Sequence, residues 1–460
     1  MRTGPLSEIR TAYFLGIAGI GMSALARYFR DHGVIVSGYD ADRSALARTL
    51  EKEGIEIQYT EEESILDKLP DLVVYTPAIP SMHKGFQYYL KSGVPVKKRS
   101  EVLGWISHQF RCIAVAGTHG KTTTSAMVTF ALRQCGVDVS ALLGGLIPDL
   151  GGNYVKGRTS WIVVEADEYD RSFLTLEPEI AIVTAMDPDH LDIYGTADSM
   201  VKTYLQFLGN IRKEGIAILH AKASGYLTEE ILDLVEEKGI SILTYGSEAG
   251  EYRVAAVEKR GSGIQYKLLS PDHEQVEVKL QMPGVHNALN ASAAIIVSQC
   301  IGVDPQEAAN ALGDFSGIKR RFEIVHADDN LVMIDDYAHH PEELAATIKA
   351  ARMQFPNKRL TGVFQPHLYS RTKDFYKDFA LSLDALDACV LVELYPAREL
   401  PIEGVSSKLI FDSMLIEEKY LKTKSELTGF LGSLEPEVLL LLGAGDLDRM
   451  IPELIQKLGS

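Results

Sequence analysis

Short apolar runs and helical patterns alternate along this chain. Residues 13–17 form one such run, followed by Gly16, Gly19 and Gly21, by apolar positions at helical spacing over residues 22–32, and by a second run at 34–39. This reads as a βαβ unit, and further runs at 72–75 and 94–97 continue a parallel sheet. A new strand at 112–116 leads directly into Gly117-Thr118-His119-Gly120-Lys121-Thr122-Thr123 and a helical stretch through Cys135. Strands at 161–165, 180–184 and 217–220 follow, with β-like alternation over 252–280 that turns at Gly261 and Gly263. The rhythm restarts with strands at 331–335, 360–364, 388–392 and 438–442. The pattern predicts an α/β protein of three domains. These are an N-terminal Rossmann-like parallel sheet (1–109), a central P-loop ATPase-type α/β domain (110–315) and a C-terminal Rossmann-like domain (316–460), packed around one cleft.

Length agrees, since 460 residues exceed what one core serves and roughly 150 residues per domain gives about three. Hydrophobic content of 46% and charged content of 24% are those of a globular protein. Lys and Arg number 46 against 63 Asp and Glu, a net charge of -17, so the field repels nucleic acid and anionic lipid, and neither is an expected partner. A small phosphate ligand remains compatible, because a local loop of N–H groups binds an anion whatever the global charge. Cys112, Cys135, Cys300 and Cys389 form no C-x-x-C pair and read as buried free thiols. With no signal-peptide pattern and no apolar run of about 18 residues, a cytoplasmic location is expected.

Gly117 to Thr123 is a shortened version of the phosphate-loop pattern, with a strand before it and a helix after it. Backbone N–H groups of Gly117, Thr118, His119 and Gly120 and the helix start would face phosphates. Lys121 would supply charge, and Thr122 or Thr123 a hydroxyl for Mg²⁺. Glu165, at the end of an apolar strand, stands where a second metal ligand would sit, or is a solvated strand-end carboxylate. Gly16, Gly19 and Gly21 form G-x-x-G-x-G, with Asp40 at the next strand end where a ribose reader would stand, so a nicotinamide cofactor is arguable from pattern alone.

Further segments occur in order: Gly16-Ile17-Ala18-Gly19-Ile20-Gly21-Met22-Ser23, Glu165-Ala166-Asp167-Glu168, Asp189-His190-Leu191-Asp192, Pro283-Gly284-Val285-His286-Asn287 with Asn290-Ala291, Asp335-Asp336-Tyr337-Ala338-His339-His340-Pro341, Phe364-Gln365-Pro366-His367 and Tyr395-Pro396-Ala397-Arg398-Glu399. With the loop 116–124, this set resembles the Mur ligases, ATP-dependent amide-forming enzymes of peptidoglycan precursor synthesis, over essentially the whole chain. The resemblance implies that ATP phosphorylates the lactyl carboxylate of UDP-N-acetylmuramate and that the amine of L-alanine attacks the acyl phosphate. It implies Mg²⁺, for which Mn²⁺ could substitute, held by Thr122, Glu165 and His190, and a monomer or weak homodimer. The UDP part would lie on Gly16, Ala18, Gly19, Ile20, Gly21, Met22 and Ser23, with Asp40, Thr76 and Ala78 beside it. Asn287 and Asn290 would reach the adenine or ribose, or simply cap a helix. Arg321, in the basic run Lys319-Arg320-Arg321, would clamp the γ-phosphate, and Asp336 and Tyr337 would contact the nucleotide. His339 and Arg371 would serve the amino acid or acyl phosphate, while Leu368 stands where many relatives carry arginine.

Three rival functions fit parts of the pattern. A murein peptide ligase, which attaches a preformed tripeptide to the same sugar nucleotide, shares most of these motifs. A nicotinamide dehydrogenase leaves the Gly117 loop without a task. A P-loop motor needs a polymer or protein partner, which the acidic balance does not favour.

Overall fold

Strands β1 (Thr11–Leu15), β2 (Ile35–Tyr39), β3 (Glu56–Gln58), β4 (Leu72–Tyr75) and β5 (Val96–Lys98) pair in the order β3-β2-β1-β4-β5, all parallel. Leu15 is level with both Tyr39 and Tyr75, so the loops after β1, β2 and β4 open along one sheet edge. That edge is where open α/β sheets bind ligands. The helix Ile20–Asp31 follows the first loop and buries Met22, Leu25 and Phe29.

The central strands are β6 (Arg111–Ala116), β7 (Ser140–Ile147), β8 (Gly152–Val155), β9 (Trp161–Glu165), β10 (Ile180–Val183), β11 (Ile216–His220) and β12 (Ser241–Gly246). Their order is β12-β11-β10-β6-β9-β7-β8, with only the β7 and β8 pair antiparallel. β13 (Tyr252–Arg260), β14 (Gly263–Leu269) and β15 (Gln275–Leu280) carry residues of both compact units into which the chain divides. The first unit holds residues 1–255, 268–276 and 289–312, and the second 256–267, 277–288 and 313–460.

In the second unit, β16 (Glu323–Ala327), β17 (Val332–Asp336), β18 (Leu360–Phe364), β19 (Ala388–Leu391), β20 (Lys419–Leu421) and β21 (Val438–Leu442) form the order β16-β17-β21-β18-β19-β20. Every residue of β18 and β21 is buried, as expected for parallel strands covered on both faces. The predicted open parallel sheet is corrected in one respect: β16 runs antiparallel to β17, so the sheet is mixed. The thiol expectation is corrected too, since Cys112 and Cys389 are buried but Cys135 and Cys300 only half-buried.

This computed structural model describes residues 6–65, 67–189, 191–397 and 399–459. Within them no helix is long and apolar enough to cross a membrane.

Candidate functional site: two glycine turns

The phosphate loop leaves β6 at Ala116 and is pinned from behind by the segment that follows β10. Thr118 N donates to Ala185 O at 3.2 Å, Asp187 N donates to Thr118 Oγ1 at 3.1 Å, and the Thr184 hydroxyl donates to the carbonyls of Ala116 and His119. Gly120 precedes the helix Lys121–Gln134 at φ 78°, with no side chain capping the helix start. A Cβ there would lie 2.7 Å from Asn290 Oδ1, which itself accepts from Thr124 Oγ1 at 3.2 Å. The left-handed geometry and the close approach both favour glycine, and they leave the first N–H groups of the helix facing the loop.

Two side-chain pairs, one ionic and one a hydroxyl on a carboxylate, flank this start. Lys121 Nζ donates to Gly117 O at 2.6 Å and to Glu168 Oε1 at 2.8 Å. Thr122 Oγ1 donates to Glu165 Oε2 at 2.9 Å, and Gly144 N reaches the same oxygen at 3.0 Å. Burial pushes the Glu168 carboxyl up to about 7 against the pull of Lys121. Burial acts to lower the Lys121 ammonium, but Glu168, Asp167 and Glu165 outweigh it and raise it.

The donors at Thr122 and Glu165 suit a hard cation. Two oxygens 2.9 Å apart match one edge of an octahedron with metal–oxygen distances of about 2.1 Å. Among the described residues there is no cluster of three or more His, Cys, Asp or Glu that could hold a metal. The set therefore fits Mg²⁺ bound through few protein oxygens together with phosphates, and not an all-protein cage. His190 lies outside the described residues, while neighbouring Asp189 is buried.

The second turn follows β1. Gly16 N and Ile17 N donate to Tyr39 O at 2.8 and 3.0 Å, and Ala18 N donates to Asp40 Oδ2 at 2.8 Å. The Asp40 carboxylate thus closes the glycine turn itself. Thr76 packs on Gly16, where a Cβ would meet its Cγ2 at 2.6 Å; Met22 and Ser23 are buried, and Gly19, Ile20 and Ala78 are exposed. Gly19 caps the helix Ile20–Asp31 without a side-chain hydrogen bond. The sequence reading missed Arg99, whose Nη1 would lie 2.7 Å from a Cβ at Gly21 and whose Nη2 donates to Asp167 Oδ2 at 3.2 Å. Its signal was the basic run Lys97-Lys98-Arg99 in an acidic chain, just as the acids of residues 165–168 signalled Asp167 and Glu168.

The second unit carries its candidates before β16 (Arg321), at the end of β17 and just after it (Asp336, Tyr337, His339), in the helix after β18 (Arg371) and in the helix Val285–Cys300 (Asn287). Arg320 and Arg321 flank the Tyr337 ring at 5.0 and 5.3 Å, and Arg321 Nη1 lies 3.5 Å from Glu343 Oε1. Asp336 accepts from Phe322 N at 2.8 Å and Ala338 N at 2.7 Å, so its carboxylate holds the local backbone. Burial raises its pKa, and raises Asp335 to about 7 against the pull of Arg320. His339 Nδ1 lies 3.0 Å from Tyr337 O and 3.1 Å from Glu343 Oε2, and its ring is 6.1 Å from that of His367, which stacks on Tyr395. Arg371 and Leu368 are both buried, Leu368 at φ 70°. Asn287 Nδ2 donates to Pro283 O at 2.7 Å.

A strand, a glycine loop and a helix bearing Lys121 and Thr122, facing Glu165, define a phosphate-loop α/β protein. Comparison with known proteins is more specific. Family models described as the Mur ligase family catalytic domain, the Mur ligase middle domain and the Mur ligase glutamate ligase domain match residues 11–111, 115–298 and 320–445. The chain belongs to the Mur ligase family. It is 40% identical to a UDP-N-acetylmuramate–L-alanine ligase of Cytophaga hutchinsonii, over 97% of this chain and 96% of that one. A protein of the same name from Phocaeicola vulgatus is 41% identical over 98% of both. Among solved structures, a UDP-N-acetylmuramate-alanine ligase from Thermotoga maritima superposes with a TM-score of 0.81 at 30% identity, covering 97% of this chain and 98% of that one. A murein peptide ligase from Psychrobacter arcticus has a TM-score of 0.72 at 24% identity over 98% and 99%, which speaks for the shared fold alone.

Proposed function

We propose that this chain is an ATP-dependent ligase of cytoplasmic peptidoglycan precursor synthesis that joins L-alanine to the lactyl carboxylate of UDP-N-acetylmuramate. The observation that carries this reading is the full-length likeness, at 40% identity, to proteins of that name. The phosphate-loop geometry supports it independently.

A carboxylate resists amine attack because its leaving group would be oxide. Attack of the carboxylate oxygen on the γ-phosphorus of ATP expels ADP and gives an acyl phosphate; the amine nitrogen then bonds to the carbonyl carbon, loses a proton and expels phosphate. Two anions must first meet, so positive charge at the γ-phosphate is the main requirement. The first N–H groups of the helix Lys121–Gln134 are free of a side-chain cap and can take phosphate oxygens, and Lys121 can swing from Glu168 to the terminal phosphates. Mg²⁺ on Thr122 and Glu165, with His190 as a further ligand, would neutralise charge at the same phosphates. Asn290 beside Gly120, with Asn287, Arg321, Asp336 and Tyr337, is assigned to the nucleotide, and His339 and Arg371 to the amino acid or acyl phosphate. The turn 16–23 takes the UDP-sugar diphosphate.

The test is ADP release with ATP, Mg²⁺ and UDP-N-acetylmuramate, with each amine in turn. L-Alanine should give turnover well above that with L-alanyl-γ-glutamyl-diaminopimelate. Equal or greater turnover with the tripeptide would replace this reading by that of a murein peptide ligase.

A further inference from the structure

A cavity of about 270 Å³ in the first unit runs from the start of the helix Ile20–Asp31 to the end of β9. Residues 19–22 and Thr76 line one end, Gly144, Glu165 and Asp167 the other, and Arg99 contributes the cation among its lining residues. An acidic ligand entering this space meets two carboxylates, so its affinity depends on that guanidinium.

Arg99 is built to stay where it is. It opens the helix Arg99–Ser107, whose start is closed by a capping box in which Lys98 N donates to Glu101 Oε2 at 2.9 Å. The next carbonyl, Ser100 O, accepts from Thr175 Oγ1 at 2.9 Å, and a Cβ at Gly104 would press to 2.7 Å of Thr175 O, so this helix is seated closely on the segment after β9. One guanidinium nitrogen is held by Asp167, leaving the other above Gly21. The Arg99 side chain remains 22% exposed and lines the cavity, so the ion pair with Asp167 does not seal it off.

We propose that Arg99 binds an anionic group of the sugar nucleotide, its diphosphate or its lactyl carboxylate, and that Asp167 is a positioning residue that fixes the guanidinium over the glycine turn. This rests on the substrate reading above. Residues 165–168 thereby serve both turns, with Asp167 bonded to Arg99, Glu168 to Lys121, and Glu165 bonded to Thr122 while also lining the cavity.

Calorimetric binding of UDP-N-acetylmuramate and of UDP-N-acetylglucosamine, which lacks the lactyl group, to the full chain tests this. Arg99→Gln should weaken binding of UDP-N-acetylmuramate by about 10- to 100-fold, as for loss of a charge-assisted contact. Asp167→Asn should weaken it by about 3- to 10-fold, and Arg99→Lys should restore part of what Arg99→Gln loses. In turnover, KM for the sugar nucleotide should rise while kcat and KM for ATP stay within about threefold. Loss for both sugar nucleotides supports the proposal with the diphosphate as the anion; loss for the muramate alone supports it with the lactyl carboxylate. Unchanged binding in Arg99→Gln, or an equal rise in KM for ATP, overturns the inference alone. If the wild-type chain binds neither sugar nucleotide, the substrate reading falls and takes the inference with it.

Discussion

Two strand, glycine-turn and helix units stand in the same compact unit of this molecule, and they present positive charge in different ways. The turn after β1 has no basic residue at its helix start; Asp40 closes it from within, and its cation, Arg99, comes from a helix that begins after β5. The turn after β6 carries Lys121 as the first residue of its own helix, pairs it with buried Glu168, and sets Thr122 against Glu165. Backbone N–H groups suffice to hold a diphosphate that does not react. A phosphate that changes bonds needs charge that can follow it, and that charge must be screened when the phosphate is absent. The two turns thus share a backbone solution and differ in chemistry.

Removing Lys121 breaks the comparison hardest. Lys121→Ala should lower kcat/KM by about a thousandfold, roughly 4 kcal/mol of transition-state stabilisation, while binding of UDP-N-acetylmuramate measured by calorimetry stays near wild type. A parallel loss of sugar-nucleotide binding would mean that the two turns do not work separately.

The division between the turns was largely legible in the sequence, while what links them was not. Lys121 and Thr122 follow a contiguous loop, so local spacing predicts both, whereas Glu165 at the end of an apolar run reads equally as a solvated strand-end carboxylate and is singled out only by the family resemblance. Arg99 and Asp167 stand 68 residues apart, and no local period reports a contact of that range. The fold divides in the same manner. Strands such as β4 and β21 are continuous apolar runs, β9 is one up to Glu165, and their ranges, like that of β18, agree with the periodicity. β7 escapes because Gly144 and Gly145 interrupt it, and Gly144 is glycine for the sake of the site: a Cβ there would sit 2.1 Å from Glu165 Oε2. The three-residue strands β3 and β20 are too short to show an alternation, and β5, expected at 94–97, lies at Val96–Lys98. The resemblance places Asp40 beside the UDP part and Asp336 at the nucleotide, and in the structure each carboxylate at its strand end also gathers backbone N–H groups, a local role that strand-end position does not separate from ligand contact.

Glu168 sharpens the comparison through pH. Its carboxyl titrates near 7 in the folded chain and near 4.5 when solvated, because burial outweighs the attraction of Lys121. The folded state therefore holds this proton more tightly than the unfolded state does. The resulting stability is complete below about pH 4.5 and is lost as pH rises through 7, amounting to no more than about 3 kcal/mol. Glu168→Gln should remove this dependence, so the thermal midpoint of the wild type should fall relative to the variant between pH 5 and about 8. Curves that stay parallel across that window would show that Lys121 holds Glu168 ionised throughout. The buried Asp335 carboxyl, also near 7, contributes in the same sense to both proteins and cancels in the difference.

The smallest test crosses the two turns through their glycines. Gly120 and Gly16 have φ of 78° and 84°, and a Cβ on either would press on a neighbour, Asn290 Oδ1 at 2.7 Å or Thr76 Cγ2 at 2.6 Å. Alanine at each position carries a left-handed strain of about 1 to 2 kcal/mol, enough for roughly a 5- to 30-fold change in a binding constant. Gly33→Ala is the reference, since φ is 78° there but the space around it is open and it lies after the helix Ile20–Asp31, away from both turns. Gly120→Ala should raise KM for ATP and leave sugar-nucleotide binding alone, Gly16→Ala should do the reverse, and Gly33→Ala should lower only the thermal midpoint. Asn290 and Thr76 give way differently: the amide must break its bond with Thr124 to retreat, whereas the Thr76 methyl can turn away. The ATP effect should therefore exceed the sugar-nucleotide effect. The opposite order would mean that the turn after β1 is the more rigid of the two, and that its ligand is held by backbone geometry more than by Arg99.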